Sequence, residues 1–92
     1  MPIYSVSYDL LAKAGEDRDY QPLWDAIATF PNCQALYSLF LVDAPSAAVV
    51  KQAIEPVLRK GDRYFIDRVR PTEHTYRAMN GINDWLAAHP PA

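Results

Sequence analysis

One cysteine, three glycines and no apolar stretch approaching bilayer length set the first limits on this 92-residue chain. Cys33 alone cannot close an internal disulfide, and no Cys/His spacing suits a structural metal. That usage is expected of a reducing compartment, and residues 1–10 have no basic leader of the signal-peptide kind, so a cytoplasmic location is expected. A membrane span needs about 20 consecutive apolar residues, and none is present, so no membrane partner is expected. Charge of one sign is also scarce. A formal net charge of -2 gives no global pull toward nucleic acid, so any such contact must come from a local patch. Scarce glycine beside 50% apolar residues excludes a disordered chain, and the length fits one domain over residues 1–92.

Proline, by contrast, is plentiful and punctuates the chain. The opening IYSVSYDL alternates: Tyr4, Val6, Tyr8 and Leu10 share one face, while Ile3, Ser5, Ser7 and Asp9 share the other. This two-residue period predicts a strand over 2–9. AKAGEDRD reads as a polar loop. Tyr20, Leu23, Trp24, Ile27 and Phe30 then recur at helical spacing, with Asp19 as cap, Pro22 tolerated in the first turn and Pro31 as the stop. The run from Cys33 to Ala44 is too long for one strand and predicts two, broken near Tyr37 and Ser38. Ser46 caps a second helix carrying Val50, Ile54, Val57 and Leu58, with Pro56 expected to kink or end it. Gly61 and Asp62 turn the chain into RYFIDRVR, a fourth strand with Phe65 and Val69 on one side and Tyr64 and Ile66 on the other. Beyond Pro71, residues 71–92 form a helical extension carrying Met79, Ile82, Trp85 and Leu86, with Asn80-Gly81 starting or interrupting its helix.

Strand, helix, strand, strand, helix, strand is the pattern of an α+β ferredoxin-like βαββαβ domain with a four-stranded antiparallel sheet, here with an additional C-terminal helix. Right-handed crossovers place the first two helices on one side of the sheet. The other side carries Ser5, Ser7 and Asp9. A small domain with a bare sheet face predicts a homodimer, the face sealed by a second copy.

VSYDL at the end of the first strand, LYSLFLVDAPSAA through the third, GDRYFIDRV as the fourth and the terminal GINDWLAAH carry a family resemblance. The chain resembles the small SinR-like and VapD-like proteins and, more distantly, the CRISPR-associated Cas-two endoribonucleases. In those CRISPR-associated relatives an aspartate ending the first strand lies at the dimer two-fold. The resemblance therefore implies Asp9 as catalytic residue and metal ligand, with one magnesium ion shared by two copies and RNA or DNA as substrate. Ser38 and Phe40 match the serine–x–phenylalanine of the third strand, which the resemblance implies as nucleic-acid contacts. Where such relatives carry basic residues before the second strand, PNCQAL has none.

Each candidate has a plainer reading. Asp9 at a strand end also suits a solvated aspartate or a turn former. Arg63, Arg68 and Arg70, with Arg59 and Lys60, are suited to phosphate contacts, yet Asp62 and Asp67 interleave them, as in a self-neutralising surface. Asp67 shares its face with Phe65 and Val69, which predicts an arginine partner or closeness to Asp9. Ser5, Ser7 or Ser38 with His74 or His89 lacks any nucleophile motif. Trp24 and Trp85 read as core anchors, Trp85 also as an interface residue. Two functions follow: a metal-dependent endoribonuclease-like homodimer, or a non-catalytic dimeric interaction or scaffold module.

Overall fold

A computed structural model describes residues 2–92 as a mixed α+β domain. In chain order it holds β1 (Ile3–Asp9), α1 (Gln21–Ile27), β2 (Asn32–Leu36), β3 (Leu39–Asp43), α2 (Ala47–Ile54), β4 (Arg63–Val69) and α3 (Ile82–Ala88). The four strands form one antiparallel sheet in the order β2-β3-β1-β4. None of the described helices is long and apolar enough to cross a membrane.

Local chemistry sets the element ends. The Asp19 carboxylate accepts from the Gln21 N–H at 3.0 Å, although Tyr20 is the N-cap, and Pro22 needs no donor in the first turn of α1. At α2, Ser46 Oγ accepts from Val49 N–H at 3.2 Å. Pro56 ends that helix as expected, in a 3-10 turn over Glu55–Val57. Gly81, with φ of 96°, opens α3, so only Ile82–Ala88 of the expected helical extension 71–92 is helical.

Alternation in β1 divides the interior in two. Tyr4, Val6 and Tyr8 pack with Phe40 and Val42 against Leu23, Ile27, Val50 and Ile54 of α1 and α2. On the opposite face, Ile3, Ala35 and Leu41 pack against Ile82, with Trp85 and Leu86 beside them. The helix-free face expected to wait for a second copy is therefore covered in part by the chain's own α3. Two further bonds hold the tail: Met79 N–H donates to Ala35 C=O at 2.9 Å, and His89 Nδ1 meets an Asp43 oxygen at 3.0 Å. His89 also stacks on Trp85, centroids 4.5 Å apart.

The polar loop after β1 is tied down by a buried ion pair invisible in the pattern. Arg18 donates through both Nη atoms to Asp62, at 2.8 and 2.7 Å, and to Leu11 C=O at 2.7 Å. Asp62 also accepts from Leu11 N–H at 2.9 Å and Arg59 N–H at 2.6 Å. The Arg18 guanidinium, with those backbone donors, holds the Asp62 carboxyl well below the usual carboxylate range against its desolvation. Gly61 turns beside it with φ of 93°, and a Cβ there would lie 2.9 Å from Leu11 Cδ2.

Candidate functional site

Cross-strand register arranges the α3 side of the sheet in four rows. Ile3 and Val69 form the first and Leu41, Ser5 and Asp67 the second; Leu36, Leu39, Ser7 and Phe65 form the third, and Asp9 and Arg63 the last. α3 packs on the β2–β3 side of the first two rows. Beyond it the third row lies open at both margins, with Leu36 47% and Phe65 68% exposed.

Asp9 ends β1 in the last row, exposed and facing Arg63 across the ladder. Asp67 lies four positions away along β4, opposite Ser5, so the expected closeness to Asp9 does not arise. Its carboxylate instead accepts from the Arg68 N–H at 3.0 Å. Ser5 and Ser7 hydroxyls donate to the main-chain oxygens of Asp67 and Phe65, each at 3.4 Å.

The expected nucleic-acid contacts fare unequally. Phe40 is corrected: it faces α1 and α2, is 9% exposed and stacks near Tyr8 at 6.4 Å, so it is a core residue. The alternation of β3 requires this, since Phe40 shares its face with Val42. Ser38 lies in the β2–β3 turn, where its C=O accepts from Tyr8 N–H at 3.2 Å. Arg68 reaches the main-chain oxygen of Ala92 at 2.8 Å, and Arg70 lies 3.5 Å from Glu73. Arg59 pairs with Glu16 at 2.6 Å. Arg63 stands in the last row beside Asp9. Trp24 is only a partial core anchor, 37% exposed, its indole N–H donating to the Tyr8 hydroxyl at 3.0 Å. Burial pushes the Tyr8 phenol above its ordinary value, opposed by that bond.

Between the second row and the segment 73–78 runs a groove of about 520 Å³. Leu39, Leu41 and Ile82 give it an apolar floor, and Asp67, Arg70, His74 and Arg77 line its rim. The chain pattern offered no sign of this groove, because it predicted a helix through 71–92, whereas only Ile82–Ala88 is helical. The exposed row of Leu36 and Phe65 was legible as apolar residues but not as exposed ones.

Magnesium needs several oxygen ligands, and a single chain offers one carboxylate at Asp9 with a guanidinium opposite. Among the described residues no group of three or more His, Cys, Asp or Glu side chains converges as a metal would require. The fold and face define a sheet-based domain with a partly covered surface, and no more specific class. No family model and no solved structure matches the chain.

Proposed function

We propose that the chain is a non-catalytic ferredoxin-like interaction module that works as a homodimer. One observation carries this reading: the third row of the sheet presents Leu36 and Phe65 to solvent at its two margins, with the half-buried Leu39 between them. Exposed large apolar side chains in one row mark a surface that gains from a partner. The element order and the strand order β2-β3-β1-β4 support the ferredoxin-like assignment. The burial of Phe40 and the engagement of Arg68 and Arg70 within the chain weigh against a phosphate-binding surface. Sedimentation at micromolar concentration tests the reading. A dimer mass supports it, and a monomer at 100 times the working concentration refutes it.

A second reading is favoured by the exposed position of Asp9. Here the chain is a metal-dependent endoribonuclease-like relative of the SinR-like, VapD-like and CRISPR-associated families, cytoplasmic, with Asp9 from two copies as ligands. Magnesium would supply Lewis-acid activation of water when bound. Cleavage of RNA or DNA by pure protein, lost in Asp9→Asn, would establish it. Equal activity in the variant would remove it.

A further inference from the structure

β4 is an edge strand, seven residues long, hydrogen-bonded to β1 alone. It has no proline within its span. Edges of this length are usually blunted by proline, a bulge or like charges, because their free backbone groups recruit other strands. The direction of those groups follows from β1. Tyr8 N–H donates to Ser38, on the β3 side, so even-numbered residues of β1 bond toward β3 and odd-numbered ones toward β4. On β4 the odd residues paired with them turn inward, and the main-chain groups of Tyr64, Ile66 and Arg68 turn outward. The Arg68 N–H is already met by the Asp67 carboxylate, which leaves Tyr64 and Ile66 as the pairing stretch.

We propose that the edge of β4 pairs antiparallel with β4 of a second copy, about a two-fold axis at Phe65, joining two sheets into one of eight strands. This rests on the homodimer reading and seats the second copy at the edge, covering Phe65 of the exposed row and leaving Leu36, on the opposite edge strand β2, outside the interface. Side chains choose the register. With Phe65 opposite Phe65, Tyr64 faces Ile66 of the other copy on the helix side. On the α3 side, Arg63 faces Asp67 twice, once on each side of the axis. Opposite charges directly across a ladder stabilise, and like charges destabilise. Shifting the axis to Ile66 sets Phe65 against Asp67 and Arg63 against Val69. Shifting it to Asp67 sets two carboxylates together. Of these three registers the Phe65-centred one is complementary in both charge and apolar contact, and it buries the most exposed apolar residue of β4. In this arrangement the two Asp9 residues stand three strand spacings apart and four residues out of step. That is roughly 20 Å, too far to share one ion.

Cross-linking tests the register. At a non-hydrogen-bonded antiparallel pair the Cα atoms lie about 4.5 Å apart, within disulfide reach. In a Cys33→Ser background, Phe65→Cys is expected to oxidise to a covalent dimer, and Ser7→Cys, one strand inward, is expected not to. Asp67→Arg is expected to weaken dimerisation about tenfold. Arg63→Asp added to it, in an Asp9→Asn background so that the new aspartate does not face Asp9, is expected to restore most of the loss. A dimer by sedimentation that cross-links through Ser7 and not through Phe65 overturns the edge and keeps the homodimer. A monomer at every concentration overturns both. A Phe65 cross-link without charge-swap recovery overturns the stated register.

Discussion

Replacing Ile82 with alanine tests whether α3 is a separately docked cover or part of the main core. Ile82 is 2% exposed and packs on Ile3, Ala35 and Leu41. Truncating a buried isoleucine to alanine costs about 2–5 kcal/mol. α3 has seven residues, well short of the roughly 12–15 an isolated helix needs, so its helicity depends on docking. Helix and flanking segment hold on by Ile82, Trp85 and Leu86, by the Met79–Ala35 bond and by the His89–Asp43 contact. Losing about 2–4 kcal/mol from this docking raises the undocked population roughly 30- to 1,000-fold. Amide hydrogen exchange reads it directly. The amides of Met79, Trp85 and His89, bonded to Ala35, Gly81 and Trp85 oxygens, should exchange faster by that factor. The Tyr8 amide, bonded to Ser38 in the central sheet, should change little at the same denaturant concentration. Equal acceleration of Tyr8 and Met79 would refute the separation of the two clusters, and no acceleration of Met79 would refute the docking itself.

Val6 is fully buried, and Val6→Asp puts an unpaired carboxylate between β1 and the helices, a cost of several kcal/mol against a total of about 5–15; far-ultraviolet circular dichroism should show an unfolded chain at 25 °C. Asp62 carries its stabilising contribution above the unfolded-state pKa of about 4 and loses it as pH falls toward its depressed folded value. Urea midpoints should therefore drop between pH 6 and pH 3 more steeply for the wild type than for Asp62→Asn, and parallel drops would contradict the Arg18 clamp. Gly61→Ala forces a left-handed residue and a Cβ against Leu11, and should cost about 1–2 kcal/mol by urea denaturation. Asp9→Asn, at an exposed strand end, should leave the thermal midpoint within a degree or two of wild type.

Strand and helix positions were readable because each rests on a local cause. Alternation in IYSVSYD, the serine before Ala47, and the prolines at 22, 31 and 56 act within a few residues. Even the division of β1 into two faces, with Val6 on one and Ser7 on the other, follows from the pleat alone. The family resemblance gave Phe40 a role that its own alternation denies. A short motif does not fix which face a side chain takes.

What occupies the second face is not local information. Ile82 lies 79 positions from Ile3, and Arg18 lies 44 from Asp62; no periodicity joins such pairs. Composition predicted that a bare sheet face must be covered, since buried apolar area is what stabilises so small a domain. It pointed to a second copy, and the chain's own end took part of that face instead, because both bury similar side chains. The fold made that choice by path: segment 71–81 carries the chain from β4 back across the sheet and sets Ile82 on Ile3 and Leu41, leaving Leu36, Phe65, Asp9 and Arg63 outside its reach.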